Sequence, residues 1–259
     1  FAEEAIKSPV EIELINLGEN INSEYDEYFP TLTVDEQIIL FTRRIQNNEL
    51  INSMNKEGLQ EDFFFSVKNK NNEWTPSKNL GAPINKVKYN EGAPTLSNDG
   101  NMLIFTACET TYGYPRDRDG YGSCDLYYSF REGQNKWSEP KNMGPNINSF
   151  SWETQPSFSS DGKTLYFIKG IRTNKGRMLD IYYSELQENK IWSLPKKLPE
   201  TVNSKGIEQS VFIHPDNQTL YFSSDGFPGM GGLDIYMSKK DSNGNWGRAI
   251  NLGYPINTF

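Results

Sequence analysis

Apolar positions along the chain fall in short runs that alternate with polar residues or string together β-branched and aromatic ones. The runs are separated by Ser-x-Asp-Gly, Asn-Gly and Pro-Gly turn signals. A period of two with no helical recurrence between the runs predicts strands joined by hairpins. The runs are of four kinds, here A to D, and the set recurs four times in the same order.

Run A and the start of B form the first anchor: Glu27 to Phe41, Glu91 to Phe105, Glu153 to Phe167 and Glu208 to Phe222. The turn Asp (Asp35, Asp99, Asp161, Asp216) lies eight residues after each Glu and six before each Phe. Run C opens on Asp62, Asp125, Asp180 and Asp234, and a Trp follows each by twelve residues (Trp74, Trp137, Trp192, Trp246). Run D extends from that Trp and ends in an apolar-Asn pair: Ile84-Asn85, Ile147-Asn148, Val202-Asn203 and Ile256-Asn257. Fixed spacing over four copies marks a repeat architecture. Four antiparallel strands per repeat are the signature of a β-propeller blade, which buries its faces by stacking on its neighbours. The expected fold is therefore an all-β propeller of four-stranded antiparallel blades, in which the four Trp serve packing.

The expected layout is a linker or helix end over 1–11 and a propeller over 12–259. Within it, 12–26 is the outer strand of a closing blade, followed by blade 1 (27–85), blade 2 (86–148), blade 3 (149–203) and blade 4 (204–259). Residues Ile12 to Asn22 repeat run D alone. Blade 4 already has its own D, so this copy predicts a fifth blade whose A to C lie beyond Phe259, or a ring closed by another molecule.

Charge narrows the partners. Lys and Arg total 26 against 34 Asp and Glu, a net charge of −8, which argues against nucleic acid. No run of 18 apolar residues exists, so the chain is not expected to span a membrane, and its first residues lack a signal peptide's basic start and apolar stretch. One His and two Cys are too few for the usual zinc sets, so neither a metal nor a cofactor is expected. Asp117-x-Asp119-Gly120 is like a calcium loop, but Tyr121 and Tyr128 stand where ligands are needed.

Nearly all variation in repeat length sits between B and C. That connection shares a face with the D–A connection, and loops on a rigid scaffold are where binding concentrates. The candidate partner-binding residues are Arg43 and Arg44 (blade 1), Tyr112, Tyr114, Arg116 and Tyr121 (blade 2), Lys169 and Arg172 (blade 3) and Phe227 (blade 4), Tyr and Arg being typical of interface hot spots. Glu27, Glu91, Glu153 and Glu208 would form a ring of carboxylates at one mouth of the axis. Their repetition favours a structural role, hydrogen bonding to the adjoining backbone, over a cation or basic-peptide site. Cys108 and Cys124 bracket the blade 2 insertion at positions that hairpin geometry brings together. A disulfide there would stabilise by about 3 kcal/mol in the chain-entropy model and imply an oxidising compartment; two buried thiols are the alternative.

The strings SSDGKTLYF, GGLDIYMS and NLGENINSEYDEYFPTLT resemble the TolB-type propeller repeats of Bacteroidota envelope proteins. The first blade and GYGSCDLYYS are most similar to the propeller module of PorE-type components of the type IX secretion system. The resemblance implies a periplasmic, outer-membrane-associated module, with a helical region before it and an OmpA-like domain after it, neither of them in these residues. The expected function is a non-catalytic scaffold or anchor that binds protein partners of an envelope assembly through the long loops. The alternatives are a module for a peptide, glycan or peptidoglycan fragment and, third, a propeller glycosidase. No catalytic residues are assigned, because the axial acids are identical by repeat and no unlike acid pair stands out.

Overall fold

The computed structural model describes residues 1–51, 57–87, 89–109, 113–115, 118–133, 136–174 and 176–258. They divide into two compact units, one of Asn16–Phe150 and one of Phe1–Ile15 with Ser151–Phe259. Strands make up nearly all the regular structure; the α-helix among the described residues is α1, Ala2–Lys7.

In the first unit, β1 (Glu27–Leu32), β2 (Ile38–Gln46), β3 (Leu59–Val67) and β4 (Lys78–Asn79) pair antiparallel in chain order. β5 (Asn90–Leu96), β6 (Met102–Cys108) and β7 (Cys124–Gly133) do the same, and both β8 (Lys136–Trp137) and β9 (Lys141–Asn142) pair with β7. In the second unit the order is β10 (Trp152–Phe158), β11 (Thr164–Thr173), β12 (Gly176–Glu185) and β13 (Lys196–Lys197), then β14 (Glu208–Ile213), β15 (Thr219–Ser224), β16 (Asp234–Lys239) and β17 (Ile250–Asn251). Within each repeat the strands pair antiparallel, and the fold is the all-β propeller that the repeat predicts.

Run D is shorter than its sequence suggests. It pairs with C over two residues in each blade, while Trp74, Trp192 and Trp246 make only lone bridges. In blades 1 to 3 a proline (Pro76, Pro140, Pro195) stands between the Trp and that two-residue strand, and without an N–H it interrupts the ladder. Residues 12–26 form no strand. From the N-terminal copy of D its closing turn is present: Asn22 Nδ2 and the Gly18 N–H both donate to Asn16 Oδ1 at 2.8 Å. Asn85 and Gly81 bond to Asn79 in the same way.

The Glu-x-x-Pro anchor marks a β-bulge. Strand A slips register against B in every blade. In blades 1 to 3 the residue before the proline (Phe29, Ala93, Gln155) is left-handed, with φ of 52–53°. Blade 4 has Val211 in place of the proline, and there the slip falls between Glu208 and Ser210. The bulge bends the strand just beyond the Glu.

Apolar packing joins successive blades within each unit. Phe63 of blade 1 meets Phe105 of blade 2 edge-on at 5.5 Å, in a buried cluster with Leu40, Ile84, Leu103 and Tyr127. In the second unit Tyr166 of blade 3 meets Trp246 of blade 4 at 6.1 Å.

Two side chains per repeat hold strand C. The Asn of each apolar-Asn pair accepts from the N–H, and donates to the C=O, of the residue after the C-strand Asp. Asn85 does so with Phe63 (3.0 and 3.0 Å), Asn148 with Leu126 (2.8 and 2.9 Å), Asn203 with Ile181 (2.7 and 3.0 Å) and Asn257 with Ile235 (2.7 and 2.9 Å). A carboxamide matches a peptide group in donor and acceptor, so each Asn supplies the acceptor that D lacks for the N–H and a second donor to a C=O that the N–H of Leu80, Met143, Leu198 or Leu252 already reaches. The Ser four residues after the Asp (Ser66, Ser129, Ser184, Ser238) donates to the carbonyl of the residue after the Trp.

Replacing Asn148 by Ala strands the Leu126 N–H in a buried site, while the Leu126 C=O keeps the Met143 N–H at 3.0 Å. The expected cost is about 1–3 kcal/mol, read as a lower urea midpoint with an unchanged m-value.

Candidate functional site

The four repeated glutamates occupy one structural position, and their surroundings differ. Each of the four is either fully buried or shielded by its own blade. Glu27 accepts from Ser23 Oγ (2.6 Å) and pairs with Arg43 at 2.7 Å. Glu91 accepts from the Lys86 N–H (3.2 Å) and is ion-paired with Arg118, both side chains being fully buried. Glu153 pairs with Lys169 Nζ at 2.8 Å. Glu208 accepts from the Ser204 N–H and Ser224 Oγ, both at 2.9 Å, and no cation among the described residues pairs with it.

Register explains the differences. The B-strand residue opposite each Glu is Arg43, Ala107, Lys169 and Ser224 in turn. Where Ala107 leaves space, Arg118 reaches in from the B–C loop and also donates to the Ile84 carbonyl at 2.6 Å. That contact places the B–C loop and the D–A connection of blade 2 at one end of the blade, as strand reversal predicts. Burial pushes the Glu91 carboxyl up to about 7 against the pull of Arg118. Burial also raises Glu208, opposed there only by neutral hydrogen-bond donors.

The structure therefore redistributes the predicted contact residues. Arg43 is buried; its guanidinium also donates to the Ile21 carbonyl (2.7 Å) and Ser77 Oγ (3.0 Å) and lies 4.4 Å over the Phe64 ring. Lys169 is held by Glu153. Tyr114 packs on the blade core with its ring 6.1 Å from Tyr127, and Phe227 packs on Phe222 and Tyr236. These four are turned inward because each supplies an apolar or ionic partner that its blade lacks. Arg44, Tyr121 and Arg172 remain exposed, Arg172 at 6.0 Å over Trp152. Tyr112 and Arg116 lie outside the described residues. Cys108 and Cys124 are disulfide-bonded. Among the described residues no cluster of three His, Cys, Asp or Glu could hold a metal, and no helix is long and apolar enough to cross a membrane.

Sequence reasoning missed Arg118. Its signal was available as the Ala107 that replaces Arg43 and Lys169 at the equivalent position, since a Glu left without its opposite cation needs one from elsewhere. It also missed a cavity between successive blades. Between blades 3 and 4 it has about 540 Å³ and is lined by Tyr166, Tyr183, Trp246, Glu185, Lys197 and Lys240. The equivalent space between blades 1 and 2, about 350 Å³, is lined by Ile38, Leu40, Phe65 and Val67.

No protein-family model matches the chain, and no curated protein matches it. Solved structures do. A glycosyl hydrolase from Bacteroides ovatus aligns over 89% of this chain and 71% of its own, at TM-score 0.51 and 9% identity. The α-L-arabinofuranosidase PaAbf62A from Podospora anserina aligns over 94% and 72%, at 0.50 and 14%. A TolB-like protein of Agrobacterium tumefaciens aligns over 89% and 81%, at 0.45 and 13%. The common feature is the propeller fold.

The expectation that the chain is not an enzyme is corrected by this comparison, since hydrolases stand among the structures that share its fold. The premise behind that expectation also fails: the four acids are identical in sequence position and unlike in environment.

Arg118→Ala should destabilise by about 3–5 kcal/mol by stranding the Glu91 carboxylate, whereas Arg44→Ala, an exposed 4.0 Å contact with Asp26, should cost under about 1 kcal/mol. Because burial raises Glu91 in the folded state, its protonated form favours folding. The Arg118→Ala deficit should therefore be smallest below pH 4.5 and grow as pH rises through 7, and Arg118→Ala with Glu91→Gln should flatten that dependence in urea titrations.

Proposed function

We propose that the chain is a partner-recognition propeller, acting as a scaffold or anchor in a periplasmic, outer-membrane-associated assembly of the type IX secretion kind. The observation that carries this is how the blade 2 loop is held. Its ends are joined by the Cys108–Cys124 disulfide, and Arg118 is anchored on Glu91 and the Ile84 carbonyl. Tyr114 is packed on Tyr127, and the Tyr121 and Gly122 N–H groups are bonded to Asp125 at 2.6 and 3.2 Å. A loop fixed at this many points loses little conformational freedom on binding, which is how preorganised recognition surfaces gain affinity. Tyr121 projects from it, 42% exposed. A disulfide supports an oxidising compartment, and the sequence resemblance supports the envelope assembly.

A second reading, binding of a glycan or peptidoglycan fragment, draws on the cavity between blades 3 and 4, where Tyr166, Tyr183 and Glu185 stand in place of the Leu40, Phe65 and Val67 of its counterpart, and both cavities keep a Trp (Trp246, Trp137). Aromatic faces with a few charged groups suit a polar ring-bearing ligand.

Replacing Tyr112, Arg116 and Tyr121 together by Ser should lower recovery of crosslinked partners from intact envelopes at least tenfold with the unfolding midpoint unchanged. Undiminished recovery would overturn the proposal. Heat of binding with peptidoglycan fragments that disappears in Tyr183→Ala would favour the second reading instead.

A further inference from the structure

The glutamate of each repeat sits in a seat built for a positive charge, and one seat has none. In blades 1 and 2 the cation bridges two acceptors: the Glu carboxylate and the carbonyl of the residue before the clasping Asn. Arg43 bonds Glu27 and the Ile21 carbonyl, and Arg118 bonds Glu91 and the Ile84 carbonyl. Blade 3 supplies Lys169. In blade 4 the corresponding acceptors are Glu208 and, by the repeat, the Val202 carbonyl, while the B-strand residue opposite is Ser224. Among the described residues no ion pair reaches Glu208. Its side chain is fully buried, and Oε2 has no hydrogen-bond partner, since Ser204 and Ser224 both bond to Oε1.

An isolated carboxylate in such a place is costly unless something offsets it. The surroundings supply neutral oxygens: Ser224 Oγ at 2.9 Å from Oε1, and Ser204 Oγ at 3.2 Å from Ser224 Oγ. They also add negative field, because the charge of Asp180, which is itself held by Lys197 at 2.8 Å, adds to the rise that burial imposes on the Glu208 carboxyl.

We propose that blade 4 binds a small monovalent cation, an alkali-metal ion, at Glu208 Oε2, with the Val202 carbonyl and the Ser204 and Ser224 hydroxyls as its other protein oxygens. The ion takes the place that Arg43, Arg118 and Lys169 fill in the other blades. The donor set fixes the class: one carboxylate oxygen among neutral ones matches a single charge, while calcium sites draw on several carboxylates. Enclosure fixes the size. Gly206 and Gly226 pack so closely on Asp225 and Ser204 that a Cβ on either would overlap them, and the Glu208 side chain is fully buried, which suits a bare ion over an amine borne on a larger molecule.

Urea unfolding of the whole chain in sodium, potassium or tetramethylammonium chloride at one ionic strength tests this, tetramethylammonium being too large for the seat. In the alkali salts the unfolding equilibrium constant should fall with cation concentration, about tenfold once the ion exceeds its dissociation constant by that factor. Glu208→Gln should show no difference between alkali and tetramethylammonium salts. Ser224→Lys, which copies blade 3, should also be insensitive, and at least as stable as the parent chain in tetramethylammonium. Equal stability of the parent chain in all three salts would overturn the proposal, as would a cation dependence that survives in Glu208→Gln.

Discussion

The structure depends on an amide standing in for a peptide. Each blade must end its sheet on an outer strand, yet prolines and turns leave that strand two residues long. At the residue after its Asp, strand C would then present a backbone N–H with no partner in a buried site, while the C=O of that residue is met by the N–H of Leu80, Met143, Leu198 or Leu252. The Asn of the apolar-Asn pair closes that gap with one side chain, and its own Nδ2 is tied back in blades 1, 2 and 4 to the Asn six residues earlier. The adjoining Asp is held from the same side, by Asn79, Asn142 and Asn251 in those blades and by Lys197 in blade 3. A short strand therefore does the work of a long one, and the apolar residues before Asn85 and Asn203, Ile84 and Val202, are delivered to the packing between blades of one unit.

Much of this was legible in the spacing of residues. The Glu, Asp, Trp and Asn anchors predicted four antiparallel strands per repeat, and the blades form at those positions. At the repeated glutamates, Glu27, Glu91 and Glu208 each accept from the backbone of the connection that precedes them. What spacing could not supply was side-chain direction. Arg43 and Lys169 read as loop-proximal cations, but both lie directly opposite a Glu in the ladder and point to it. Tyr114 and Phe227 read as displayed aromatics, and both fold back on the aromatic of their own strand C. The N-terminal copy of D shows a related limit. Its turn residues carry their local hydrogen bonds unaided, while a strand needs a partner that the sequence pattern alone does not provide.

Repetition also hides difference. A ring of four glutamates suggests four equal groups, and the residues opposite them make them unequal: an arginine on the strand, an arginine from the loop, a lysine, and a serine. Blade 2 gains most from this substitution. Because Ala107 vacates the strand position, the loop supplies the cation, and the ion pair that steadies the carboxylate also fixes Arg118 of the B–C loop. The charge balance of the core and the presentation of the surface are in that blade the same contact. The fold is shared with hydrolases, so the chemistry of this chain has to be argued from such local departures from the repeat and not from the frame.

The central claim is that the Asn clasp holds strand C, and native-state hydrogen exchange at Phe63, Leu126, Ile181 and Ile235 tests it most directly. These four amides donate to side chains and not to a neighbouring strand. If the clasp carries the sheet edge, they should exchange only through global unfolding, with protection equal to that of the central β6 and β11 amides. Exchange at the rate of exposed loop amides, with the sheet otherwise protected, would contradict the account.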